Sequence, residues 1–307
     1  VTARITGLGT FLPAETVTND DLARRMDTSD EWIRSRSGIG ARRVGGRTAQ
    51  MATAAAAEAM QQAGLTADQI DFLVLCTTTP EKTFPATSAL VADALGLRCG
   101  AMDLNVVCAG FPYGYVTAYG LMLTPGGPER VLLVGSDAMS SIVDWDDRST
   151  AILFGDGAGA AVLERHPSQG ELLAADFGVN GELAPILYCD LGDKIKMEGR
   201  EVFKRAVRAV SRSVEVTLEK AGLAPTDLDV VLPHQANMRI IEAMCDRIGI
   251  PLERTFNVIE QTGNTSSASI PLAMAAADRA GALAPDRLVL MAGFGAGLAW
   301  GSVVIRW

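Results

Sequence analysis

Ala63-Gly64-Leu65-Thr66-Ala67-Asp68 returns about 158 residues later as Ala221-Gly222-Leu223-Ala224-Pro225-Thr226, and both copies lead into an apolar run, Asp71-Phe72-Leu73-Val74 and Asp229-Val230-Val231-Leu232. At nearly the same offset Arg130-Val131-Leu132-Leu133-Val134-Gly135 answers Arg287-Leu288-Val289-Leu290-Met291-Ala292. A period this long is no solenoid. It describes one α/β unit duplicated and packed against its copy, with halves over residues 1–165 and 166–307. The register sets Cys76 opposite His234, and Cys108 opposite Thr265, one residue past Asn264. A cysteine, a histidine and an asparagine therefore sit just past apolar runs in equivalent loops, which a pseudo-twofold arrangement gathers into one site.

Strands are expected at residues 4–12, 72–76, 100–106, 131–134 and 160–163, with helices at 52–63, 85–95 and 109–122. The second half repeats the order: helices at 202–221, 239–248 and 267–280, strands at 230–232, 257–259, 287–291 and 302–305. The segment 154–159 reads as a glycine-rich turn. Two stretches have no counterpart in the second half: residues 18–43, polar and helical with capping sequences at Thr18 and Thr28-Ser29, and residues 138–153. Alternating strands and helices predict mostly parallel sheets. Two such sheets sharing buried helices give a layered α/β/α/β/α architecture.

With 48 % hydrophobic and 21 % charged residues the composition is that of a soluble enzyme. No apolar run is long enough to span a bilayer, and Val1-Thr2-Ala3-Arg4 lacks the design of a signal peptide. Five cysteines, odd in number and without a C-x-x-C pair, point to reduced thiols in a cytosol and away from a structural zinc site. A net charge of −9 speaks against nucleic-acid binding. The acidity breaks locally: Lys204, Arg208 and Arg212 follow at i, i+4 and i+8, lining one helix face. That face is either simply solvated or a landing patch for an acidic partner.

Cys108 ends an apolar run and precedes an uncharged helix, where helix N–H groups and dipole are expected to lower a thiol pKa and activate a nucleophile. A lone cysteine before a buried helix is also an ordinary core residue, the reading kept for Cys76, Cys99, Cys189 and Cys245. Of the two histidines, His166 lies in a polar turn, while His234 stands at the mouth of a buried strand. Asn264, after Gly263, is either a cap or a functional amide. Together the three suit one kind of chemistry, in which a thiolate takes an acyl group from a thioester and two neutral donors hold a second thioester as it becomes an enolate. Phe294-Gly295-Ala296-Gly297 could bring a backbone N–H to the acyl carbonyl, completing an oxyanion hole with the Cys108 N–H.

From end to end the sequence resembles the β-ketoacyl-acyl-carrier-protein synthase III family, of the thiolase fold. The matching segments are Asp27-Thr28-Ser29-Asp30-Glu31-Trp32-Ile33 with Arg36, Cys108-Ala109-Gly110-Phe111, Asp147-Arg148, and Phe154-Gly155-Asp156-Gly157-Ala158-Gly159-Ala160-Ala161. Pro233-His234-Gln235-Ala236-Asn237, Gly263-Asn264-Thr265-Ser266 and Gly297-Leu298-Ala299-Trp300-Gly301 complete them. The resemblance implies a thiolase-like duplicated five-layered fold and a cytoplasmic enzyme that condenses an acyl-CoA primer with malonyl-acyl carrier protein, with no cofactor and no metal. It implies that Cys108 carries the acyl group, that His234 and Asn264 promote decarboxylation, and that Ala296 shares the oxyanion hole. Thr28, Trp32, Arg36, Arg148, Gly199, Phe203 and Asn237 match CoA-binding positions, and Trp32 with Arg148 matches the pair that sandwiches the adenine. Lys204 and Arg239 match positions that receive the carrier protein. Phe84 matches a residue lent to the neighbouring subunit's acyl pocket in a homodimer.

The chain departs from the family's pattern at Val106-Val107, where small residues are usual, in the short Gly45-Gly46-Arg47 link, and over residues 179–197 with Tyr188-Cys189. These leave primer choice open. A family-like acyltransferase that does not decarboxylate is the alternative, against which Asn264 argues, and a non-catalytic binding subunit is a second.

Overall fold

The apolar runs become strands covered on both faces. The computed structural model describes residues 2–307; Val1, where the expected first half begins, lies outside them. In chain order the first half contains β1 (Thr2–Phe11), β2 (Thr16–Thr18), α1 (Asn19–Ala23), α2 (Asp30–Ser37), β3 (Ala41–Arg43), α3 (Thr48–Ala63) and β4 (Phe72–Cys76). It continues with α4 (Thr87–Leu95), β5 (Gly100–Leu104), α5 (Gly110–Leu123), β6 (Arg130–Ala138), α6 (Arg148–Ala151) and β7 (Asp156–His166). The second has β8 (Glu171–Val179), β9 (Leu187–Tyr188), β10 (Lys196–Met197), α7 (Gly199–Ala221) and β11 (Val230–Pro233). After these come α8 (Met238–Ile248), α9 (Ile259–Thr262), α10 (Ser269–Arg279), β12 (Leu288–Gly295) and β13 (Ala299–Arg306).

The two main sheets have the same plan, β1-β7-β6-β4-β5 and β8-β13-β12-β11. Where the second sheet would place a fifth strand, Thr255 alone bridges Val231. The strand expected at 257–259 therefore does not form, and Ile259 instead opens α9. The Gln235 amide replaces the missing ladder, donating to the Phe256 carbonyl at 3.3 Å and accepting from the Val258 N–H at 3.0 Å. The expected turn at 154–159 is mostly strand, since β7 begins at Asp156, and β8 was not expected at all. Nor are the sheets mostly parallel: β4 runs parallel to β5 and β6, and β11 to β12, but β1/β7, β6/β7, β12/β13 and β8/β13 are antiparallel. Residues 296–298, which join β12 to β13, are too few for the crossover that a parallel pair requires.

Five layers result. α3 and α4 cover one face of the first sheet, with Met51, Ala55 and Val91 against Leu73, Leu75 and Leu132. α7 and α8 cover the far face of the second, with Val214 and Ile241 against Val231 and Leu290. Between the sheets lie α5 and α10, where Phe111, Tyr115, Ile270 and Met274 meet strands of both. Burying each large side chain contributes about 2–3 kcal/mol, so neither sheet covers this face without the other half. The two segments with no counterpart pack on each other: Leu22, Ile33 and Ile39 from the first meet Met139, Val143 and Ile152 from the second. Thr18 and Ser29 cap α1 and α2. This small core forms a cap beside the ends of the central helices.

Candidate active site

The inner faces of the sheets fix how the halves correspond. Val131 and Leu133 of β6 and Val289 and Met291 of β12 all face the central layer, so Gly135 answers Gly293 and Asp137 answers Gly295. Alternation along β4 and β11 likewise sets Cys76 opposite His234, as the sequence indicates. The loops before the central helices correspond differently from expectation. A single 3-10 turn precedes each helix, Val107–Ala109 before α5 and Ser266–Ala268 before α10. Cys108 therefore answers Ser267, two residues beyond Thr265, and the counterpart of Asn264 is Asn105. The two turns are built alike: the Asn105 side chain accepts from the Val107 N–H at 3.2 Å, and that of Asn264 from the Ser266 N–H at 2.9 Å. Val107 and Ser266 then share a left-handed backbone, φ 50° and 51°.

Each turn packs on the opposite sheet, and here the copies diverge. In one, the Asp137 carboxylate accepts from the Ser267 N–H at 3.0 Å and the Thr78 N–H at 2.7 Å, with the Thr77 and Thr79 hydroxyls at 3.1 Å. Burial pushes this carboxyl up while the donors pull it down, with a net upward shift. In the other, β12 ends in Gly295, and a Cβ there would lie 2.8 Å from the Cys108 nitrogen. Glycine is what lets the strand come this near. Where Ser267 has a carboxylate on its N–H, Cys108 has a backbone opening onto a cavity of about 700 Å³.

Cys108, His234, Asn264 and Gly295 all line that cavity. Ala296 follows Gly295 at the start of the β12–β13 turn and is half-buried. The Cys108 sulfur lies 3.4 Å from the Ser266 hydroxyl oxygen. Contrary to the expected lowering, burial pushes the thiol up to about 12, opposed by the Ser266 hydrogen bond. The buried, apolar surroundings thus favour the protonated thiol in the resting site. His234 is likewise enclosed, 3 % exposed, with the Phe294 ring edge-on at 5.5 Å. Desolvation lowers it to about 3, so the imidazole is neutral. Its Nδ1 is 2.7 Å from the Ser269 hydroxyl oxygen. With the Asn264 amide oxygen engaged by the Ser266 N–H, its NH2 group is left as a donor.

Trp32, Arg36, Gly199, Phe203, Asn237 and Arg239 line the outer cavity. Arg148 lies on the Trp32 ring, its guanidinium carbon 4.7 Å from the centroid, and Arg36 stands at 6.0 Å. Arg239 covers Phe203 at 5.4 Å. Asn237 caps α8 and donates to the Arg36 carbonyl at 3.0 Å, so its amide ties the cap to the second half. Thr28 precedes α2 with its hydroxyl buried and without a hydrogen-bond partner among the described residues. Lys204, Arg208 and Arg212 are exposed along α7, and Phe84 is 83 % exposed; none of the four lines the cavity. Sequence reasoning missed Ser266, Ser269, Asp137, Asn105 and Arg200. Arg200 lines the cavity with Arg36 and Arg239, and among the described residues no carboxylate does. Asn105 was findable, because the two Asn-x-x-x-Ala strings match once the register is shifted.

Two family models match, 3-oxoacyl-[acyl-carrier-protein (ACP)] synthase III over residues 102–181 and its C-terminal part over residues 218–307. Beta-ketoacyl-[acyl-carrier-protein] synthase III 1 of Bacillus anthracis is 44 % identical over 307 residues, covering 99 % of this chain and 98 % of its own. The crystal structure of 3-oxoacyl-[acyl-carrier-protein] synthase III from Aquifex aeolicus superposes with a TM-score of 0.97 at 42 % identity, over 99 % of this chain and 100 % of the other. The priming β-ketosynthase of the R1128 polyketide pathway superposes with a TM-score of 0.93 at 35 % identity, over 99 % and 96 %.

Proposed function

The chain belongs to the 3-oxoacyl-[acyl-carrier-protein] synthase III family, and from that premise we propose how its own residues perform the family's reaction. It is a condensing enzyme that joins an acyl-CoA primer to malonyl-acyl carrier protein, with loss of CO2, to initiate fatty-acid synthesis. The observation that carries the assignment of roles is that one cavity is lined by Cys108 from one half and by His234 and Asn264 from the other.

In the first step the Cys108 sulfur attacks the acyl thioester carbonyl. The thiol proton ends on the departing CoA sulfur, and the oxyanion forms against the N–H groups of Cys108 and Ala296. In the second, the malonyl carboxylate leaves as CO2, and its electron pair forms an enolate whose oxygen is held by His234 and the Asn264 NH2. The enolate carbon attacks the acyl carbonyl, the Cys108 thiolate leaves, and a proton from solvent restores the thiol. A neutral histidine suits this step, since it donates without needing to be charged.

The cationic mouth suits the phosphates of CoA. Trp32 and Arg148 would grip the adenine, parting by about 3.5 Å, one stacking distance, to admit it. Thr28, Arg36, Gly199, Phe203 and Asn237 belong to the same channel. The exposed Lys204 and Arg239 would meet the acidic carrier protein. The exposure of Phe84 supports a second copy of the chain covering it and receiving it in an acyl pocket. The halves 1–165 and 166–307 act as one unit around the shared layer, in the cytoplasm.

Intact-mass measurement tests the assignment. Acetyl-CoA should add one acetyl group, absent in Cys108→Ala, which disappears as malonyl-carrier protein yields the ketoacyl product. An adduct that survives malonyl-carrier protein would establish the acyltransferase instead. No adduct with acetyl, branched or longer primers would leave a binding subunit.

A further inference from the structure

The Ser269 hydroxyl is fully buried at the first position of α10. It accepts from the Gln235 N–H at 3.3 Å and lies 2.7 Å from His234 Nδ1. A hydroxyl also carries one proton to donate, and among the described residues the acceptor in reach is His234 Nδ1. The fold itself does not require a hydroxyl here. At the corresponding place in the first half α5 begins with Gly110, and Cys76, the counterpart of His234, simply directs its sulfur at the Gly110 carbonyl, 3.2 Å away. The hydroxyl occurs in the half that holds the histidine.

We propose that Ser269 is a positioning residue that fixes His234 as the Nε2–H tautomer by donating its hydroxyl proton to Nδ1. A neutral imidazole has one N–H. If Nδ1 accepts from Ser269, the proton must sit on Nε2, the nitrogen left to donate to the enolate oxygen. Without the hydroxyl both tautomers become accessible, and the one protonated on Nδ1 presents a lone pair to a developing negative charge. Ser269 never touches substrate; it acts through His234. The inference rests on the assignment of His234 as the enolate donor, but its first test does not.

The chain has two histidines, so the 15N spectrum of the protein labelled at histidine is assigned with a His166→Asn variant alone. The wild type should show His234 with Nδ1 unprotonated and Nε2 protonated. Ser269→Ala should show a tautomer mixture and decarboxylate malonyl-carrier protein about tenfold more slowly, with acetylation of Cys108 slowed less than twofold. Ser269→Gly, which reproduces the Gly110 side, should behave the same way. A wild-type His234 protonated on Nδ1 overturns the proposal whether or not the variants fold. So does a Ser269→Ala enzyme with an unchanged tautomer. A mixed tautomer with undiminished decarboxylation would keep Ser269 as the tautomer anchor and overturn His234 as the donor.

Discussion

The turns at Asn105 and Asn264 have the same backbone and opposite uses. In each an asparagine oxygen holds the N–H of a residue with positive φ, and a 3-10 turn leads into a central helix. One presents its asparagine to the cavity and places its own N–H against Asp137. The other leaves its asparagine exposed and its N–H against Gly295. The duplicated backbone therefore supplies geometry, and single residues at equivalent points decide which turn is tied to an internal carboxyl group and which, on the proposed mechanism, is left open for an oxyanion formed in the reaction. Chemical asymmetry arises here without a change of fold.

The largest effect expected on this comparison comes from removing the Asp137 carboxyl group. Asp137→Ala leaves the buried N–H groups of Thr79 and Ser267 without this acceptor, and should lower stability by about 3 kcal/mol in urea unfolding. A loss under 1 kcal/mol would mean that packing alone holds the Asn264 turn. Next, Gly295→Ala forces a Cβ against the Cys108 nitrogen and should slow acylation by Cys108 about a hundredfold, while malonyl decarboxylation changes less. Gly295→Asp, which imitates the other copy, should abolish acylation. Equal loss of both activities would show that Gly295 serves the fold rather than the nucleophile.

The smallest effect is in pH dependence. His234 is held near 3, against about 6.5 when unfolded. The unfolded chain binds the extra proton between these values, so the stability this burial maintains is complete above pH 6.5 and is lost as pH falls toward 3. Between pH 6.5 and 5 the loss should be about 1.5 kcal/mol and should be missing in His234→Gln. Its counterpart Cys76 is pushed upward by burial and stays neutral throughout. Of this pair, the acid sensitivity then belongs to His234 alone; an identical slope in the variant would refute this.

Local sequence was a good guide where one element decides the outcome. The apolar strands, the Ala-rich α3, the uncharged α5 and the gathering of Cys108, His234 and Asn264 at one cavity all depend on short patterns of burial and on their order in the chain. Strand direction was less legible, because β6/β7 and β12/β13 are joined by segments whose path sequence periodicity does not reveal. The missing strand at 257–259 was hidden for a similar reason, since a side chain twenty-odd residues away takes its hydrogen bonds. The thiol of Cys108 misled more instructively. Its helix N-terminus is readable in sequence, but the desolvation that pushes the thiol up comes from walls contributed by both halves. Ser269 and Asp137 look in sequence like any serine in a helix start or any aspartate after a strand.

The cap has a consequence of its own. Its core, from Leu22 and Ile33 to Val143 and Ile152, comes mostly from the two segments that were never duplicated, with Phe154, Ile195 and Ile259 packed into it, and those segments carry Trp32, Arg36 and Arg148. On the proposed roles, bond making falls to the repeated framework, while the substrate's handle is met jointly by this attachment and by Gly199, Phe203, Asn237 and Arg239 of the framework. On that reading the molecule is organised like a tool with a fixed jaw and a partly exchangeable holder: substitutions within residues 18–43 and 138–153 should change the grip on the carrier without recutting the jaw.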